Sequence, residues 1–104
     1  MMKKDLFKII EHFGVRNQMK KLNEECYELI EAIANYQDIE PFTAEDTNFK
    51  AIFKNHVVEE IADCLVLINQ FIEYYKIDNN NVAKIMQEKT NRTLNRIESG
   101  YYEK

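Results

Sequence analysis

Apolar residues recur every three to four positions along most of this 104-residue chain, in four segments divided by polar or glycine-marked breaks. Leu6, Phe7, Ile9, Ile10 and Phe13 share one face of a helix expected over 5–13, and Gly14 stops the pattern. Met19, Leu22, Cys26, Leu29, Ile30 and Ile33 then keep helical spacing, which predicts a long amphipathic second helix over 16–35. The only proline falls in the polar cluster 37–48, so a long connection is expected there, with a turn of helix at 49–53. A third helix is expected over 55–75 and a fourth over 81–99. The capping-rich run Asp78, Asn79, Asn80, Asn81 separates them, and Gly100 closes the last.

Four helices and no strand signal define an all-α fold: a four-helix bundle occupying residues 1–104 as one domain. Sequential helices commonly form antiparallel hairpins, so the two long central helices are expected to pack that way. The third is apolar nearly all round, through Ile61, Ala62, Cys64, Leu65, Val66, Leu67, Ile68, Phe71 and Ile72. Such a helix needs burial on two sides. A small bundle covers one side, so a second subunit in a two-fold homodimer is expected on the other, unless the first helix and Phe42, Phe49 and Phe53 cover it.

Composition narrows the function. A net charge of -4 opposes a nonspecific grip on nucleic acid, which requires a cationic surface. The first residues, MMKKDLFKII, lack the apolar run of a signal peptide, and no stretch reaches the roughly 18 apolar residues of a membrane span, so a cytoplasmic protein without membrane association is expected. Cys26 and Cys64 both fall on apolar stripes without metal-ligand spacing and are read as reduced core residues.

The candidate chemistry lies in two acidic runs, EECYELIEAI and HVVEEIADCLVLI. At 100° per residue, Glu25 and Glu28 lie about 60° and 120° to one side of the Leu22 stripe, and Glu60 and Asp63 take the same two offsets from Val57 on the third helix. Antiparallel packing makes these four carboxylates converge, and their repulsion calls for a cation among them. Hard oxygen donors without His or Cys select Mg2+, with Mn2+ as a substitute, and such ions commonly bridge to phosphate chains. A solvated acidic face is the plain alternative for either run alone; the matching offsets of the two argue against it. On the fourth helix Lys89, Arg92 and Arg96 form a basic edge suited to polyphosphate oxygens, or else to simple salt bridges.

KLNEECYELIEAI, EEIADCLVLI and KTNRTLNRI together resemble the MazG-like branch of the all-α nucleoside triphosphate pyrophosphohydrolases, whose motif is Glu-Glu-x-x-Glu followed by Glu-x-x-Asp. The resemblance runs from about Gln18 to Ile97; the spacer from Glu28 to Glu60 is longer than usual for the family, and there is one such domain rather than two. It implies Mg2+-dependent hydrolysis of a (d)NTP to the monophosphate and pyrophosphate, in dimers or tetramers of bundles. By motif position it implies metal ligands at Glu25, Glu28, Glu60 and Asp63, and a water-orienting or deprotonating role for Glu24. It implies phosphate contacts from Lys89 and Arg92, with Arg96 as an extension. Related acidic helices also serve dUTP, dCTP and phosphoribosyl-nucleotide hydrolysis, and a non-catalytic helical interaction module with acidic faces is the reading from another class. Tyr27, Tyr101 and Tyr102 are available to stack on a base or to pack at a subunit interface.

Overall fold

A computed structural model describes residues 1–40 and 48–103. Four helices make up the fold: α1 Lys3–Phe13, α2 Val15–Ile39, α3 Asn48–Tyr74 and α4 Asn79–Glu98; there is no strand among the described residues. None of these helices is long and apolar enough to cross a membrane. The chain divides into two compact units, Met1–Tyr74 and Tyr75–Lys104.

In the first unit, α3 is the central element and both α1 and α2 pack on it. Gly14 alone joins α1 to α2. Its φ of 87° and ψ of 149° lie in a region nearly closed to side chains bearing a Cβ, so glycine here allows one helix to end and the next to start without a loop. The orphaned carbonyls at the end of α1 find donors at once: Gly14 N donates to Ile10 O at 2.8 Å, and Asn17 Nδ2 to Phe13 O at 2.7 Å. Contacts between α2 and α3 fall in reverse sequence order, with Gln18 meeting Gln70, Glu25 meeting Glu60, and Glu40 meeting Lys50. On the far flank Phe7 of α1 stacks on Tyr74 of α3, ring centres 6.0 Å apart.

The core is small and unusually polar. Leu6, Ile10, Ala32, Cys64 and Leu67 are its buried apolar members, and Gln18, Glu25, Glu60 and Gln70 are buried with them. Among the described residues, four polar members beside five apolar ones is far from a core selected for stability alone, because each buried polar group needs a partner. Meanwhile Ile30, Ile33, Ile61, Leu65 and Ile68 are exposed.

Several boundaries differ from the periodicity reading. α3 begins at Asn48, so the turn expected at 49–53 is its first turn, with Phe49 and Phe53 stacked at 5.7 Å. α2 continues to Ile39, four residues past the expected end, and of the connection expected at 37–48 the part from 41 to 47, including Phe42, lies outside the described residues. Cys64 is buried as expected; Cys26 is exposed, because the packed face of α2 is turned away from it.

The second unit is led by α4. Asp78 caps it, its side chain accepting from Asn80 N at 2.9 Å, and Gly100, with φ 74°, follows its end. Beyond the helix, Tyr101 N returns to Arg96 O at 2.9 Å and the Arg96 guanidinium lies 4.7 Å over the Tyr101 ring, which fixes the tail on the last turn.

Replacing Gly14 with alanine meets open space but forces a Cβ into a strained conformation. Gly14→Ala is expected to lower unfolding stability by about 1–3 kcal/mol, measured by urea denaturation. An unchanged midpoint would mean that the corner relaxes freely.

Candidate metal centre

α2 and α3 bring Glu25, Glu60 and Asp63 to one place. One ligand atom from each lies within 4.8 Å of the others. Mg2+ holds oxygens at about 2.1 Å, which limits their mutual separation to about 4.2 Å, so slight rotamer adjustment closes this set around an ion. Glu25 and Glu60 are each 7% exposed, whereas Asp63 lies at the accessible edge.

Burial and charge are in conflict here. Oε2 of Glu25 and Oε2 of Glu60 are both enclosed with no hydrogen-bond partner. Two ionised carboxylates approach one another in a dry seam only with a proton between them or a cation among them. Burial pushes the Glu25 carboxyl up, yet the Lys21 ammonium, together with hydrogen bonds from Glu28 and Glu60, holds it below its ordinary 4.5. Lys21 reaches Glu25 Oε1 at 3.2 Å from one turn earlier. Glu28 is raised by its hydrogen bond to Glu25 and by the Glu25 charge, and Glu60 is raised by burial and then by the charge of Glu28. One carboxylate is therefore kept ionised by a lysine while its neighbours resist ionising. A divalent ion fits this donor set because it removes both defects at once.

Glu28 does not belong to the tightest group. It stands beside Glu25, close enough to share a proton with it. Glu24 is exposed and lines, with Glu25 and Asp63, a cavity of about 740 Å³ between the helices of the first unit. Tyr27 is 64% exposed in a shallow hollow with Glu24, Glu28 and Glu31. The basic residues all lie on α4, in the second unit: Arg92 and Arg96 line one shallow hollow and Lys89 another. Tyr101 and Tyr102 pack edge to face at 5.1 Å.

Three residues at this site escaped the periodicity reading. Gln18 Nε2 donates to Gln70 Oε1 at 2.7 Å inside the seam, and Lys21 is the counter-ion of Glu25. The signal was positional: Gln18 precedes Glu25 by seven residues and Gln70 follows Asp63 by seven, two helical turns on the same face.

Compared with known families, the chain matches the family model described as the MazG nucleotide pyrophosphohydrolase domain over residues 13–96. That span runs from the last residue of α1 into the last turns of α4. Comparison with curated proteins and with solved structures finds no match.

The titration pattern sets a signed expectation. Carboxyls raised in the folded state, Glu28 and Glu60, favour folding below their unfolded value of 4.5 and lose that contribution as pH rises through the raised folded values. Glu25 acts oppositely, and its contribution is lost only below 4.5. With chelator, the melting temperature should therefore rise as pH falls from neutral toward 5; millimolar Mg2+ or Mn2+ should raise it at neutral pH and flatten that slope. Calorimetry at several pH values checks both. A slope indifferent to the ions would separate the carboxylates from metal binding.

Proposed function

Because the chain belongs to the MazG nucleotide pyrophosphohydrolase family, we propose that it is a divalent-metal-dependent hydrolase of nucleoside triphosphates, releasing the nucleoside monophosphate and pyrophosphate. The observation that carries this reading is the enclosed carboxylate set of Glu25, Glu60 and Asp63, with two unpartnered oxygens and a neighbour, Glu28, that shares their charge. These four residues would hold Mg2+, or Mn2+ in its place. When bound, the ion supplies positive charge to the phosphate chain and to the carboxylates together.

The remaining steps fall to the protein's own groups. Glu24, exposed on the cavity wall next to Glu25, accepts a proton from the water that attacks the α-phosphorus, and the bond from that phosphorus to the bridging oxygen of the β-phosphate breaks. Lys21 keeps Glu25 ionised at neutral pH, so that residue has no proton to lose before it serves. Lys89, Arg92 and Arg96 act as phosphate contacts, as their position in the matched span suggests. The reverse pairing order of α2 and α3 supports the antiparallel arrangement that lets both acidic runs serve one site. A role in clearing the nucleotide pool, in the cytoplasm, fits two free thiols and a family of this activity.

Assembly belongs to the same proposal. Val58, Ile61, Leu65 and Ile68 on α3 and Ile30 and Ile33 on α2 remain at least 41% exposed, an apolar face typical of a subunit contact. A homodimer, or a tetramer of such pairs, buries it.

Two measurements test these statements. A panel of canonical and modified nucleotides, analysed by chromatography for monophosphate and pyrophosphate, should show turnover that stops with chelator and falls at least about a hundredfold in Glu60→Gln. Intact nucleotides throughout, with the protein folded and Mg2+ present, would overturn the hydrolytic reading. Light scattering after size exclusion should show an oligomer for the wild type and a monomer for Leu65→Glu; a monomeric wild type would remove the assembly.

A further inference from the structure

The cavity next to the carboxylate seam has a different character at its two ends. Near Glu25 and Asp63 it is acidic; two helical turns away, about 10 Å along both α2 and α3, it meets the amide pair of Gln18 and Gln70. Val66 and Leu67, between Asp63 and Gln70 on α3, and Phe13, at the end of α1, supply apolar wall. Both amides are more than nine-tenths buried, at 7% and 3% exposure. Their mutual hydrogen bond uses Gln18 Nε2 and Gln70 Oε1 and leaves an acceptor, Gln18 Oε1, and a donor, Gln70 Nε2. Neither has a protein partner among the described residues and neither is among the enclosed unpartnered atoms, and both residues line the cavity.

A buried donor beside a buried acceptor, held in place by each other, awaits a ligand edge of complementary pattern. The Watson–Crick edge of every nucleobase has a donor next to an acceptor. Because the amides bond to one another they reverse only together, and in either sense they still present one donor and one acceptor. Phe13, 53% exposed at the end of α1, offers the ring face on which a flat base stacks. The spacing also agrees, for two helical turns is about the reach from the α-phosphate of a nucleotide to the far edge of its base.

We infer that this cavity is the nucleobase subsite, in which Gln18 and Gln70 read the hydrogen-bonding edge of the base and Phe13 stacks on its face. The inference rests on the seam being the phosphate end of a nucleotide site. It assigns substrate recognition to the N-terminal half of α2 and the C-terminal half of α3, with the reaction two turns away.

The test separates the subsite from the hydrolysis. In chelator-containing buffer, nucleoside 5′-monophosphates and ribose 5-phosphate are titrated into the 15N-labelled protein, and the side-chain amide signals of Gln18 and Gln70 are followed. Nucleotides should shift both amides and bind about tenfold more tightly than the base-free sugar phosphate, the scale of one to two net hydrogen bonds. Gln70→Leu should remove that difference, and so should Phe13→Ala, a half-exposed position where folding is not at stake. In the enzymatic arm, the same variants should lower kcat/KM for nucleoside triphosphates and leave that for ribose 5-triphosphate unchanged. Unshifted amides, or variants in which the ratio of nucleotide to base-free substrate stays at the wild-type value, would overturn the subsite. Base-dependent binding at the amides without any hydrolysis would support the subsite while removing the reaction.

Discussion

The first unit is organised around an electrostatic conflict: two glutamates, Glu25 and Glu60, are buried in one interhelical seam, each with an enclosed oxygen that no donor reaches. A carboxylate taken out of water without compensation is among the more costly features a fold can contain, and like charges compound the loss. The seam tolerates it because Lys21 offsets one charge and because the neighbouring carboxyls Glu28 and Glu60 ionise less readily than an ordinary carboxyl. Apolar packing alone would favour leucines at these positions. Glutamates in these positions fit the family to which the chain belongs, the MazG nucleotide pyrophosphohydrolases, better than they fit a core built for stability.

Periodicity made the four helices and both acidic runs legible, yet it misjudged which face of each long helix packs. Periodicity centres the α2 face on the Leu22–Cys26–Leu29–Ile33 stripe, whereas the buried residues are Gln18, Glu25 and Ala32, about 70° away. On α3 the burial of Glu60, Leu67 and Gln70 is turned in the same sense from the Val57–Ile61–Cys64–Ile68 stripe, of which Cys64 alone is buried. The cause is physical. An apolar arc wide enough to serve two surfaces has its hydrophobic centre between them, and a pattern score finds the centre. Two of the four flanking carboxylates, Glu25 and Glu60, therefore lie within the core, and Cys26 comes out on the surface.

The amides illustrate a second limit. Glutamine is usually exposed, so Gln18 and Gln70 carried no weight singly, and only their pairing across helices 52 positions apart shows them to be inside. Long-range partnership of that kind has no local signature. α3 shows a related limit: 49–53 is legible as a turn of helix, but that it continues unbroken into the helix expected from 55 is not. Local chemistry was more readable at the breaks: Gly14, Asp78 and Gly100 each act where their side chains, or the lack of one, suggested.

The single-residue joint between α1 and α2 has a consequence for how this protein diversifies. With Gly14 as the whole linker, Phe13 and Asn17 are pinned on either side of one corner, and there is no slack into which an insertion fits without swinging α1 off α3. A chain with a long loop at that point would retune its binding wall by lengthening or shortening the loop. Here the wall changes only by exchange of one side chain for another on rigid helices, so drift in ligand preference proceeds in small steps of shape and hydrogen bonding.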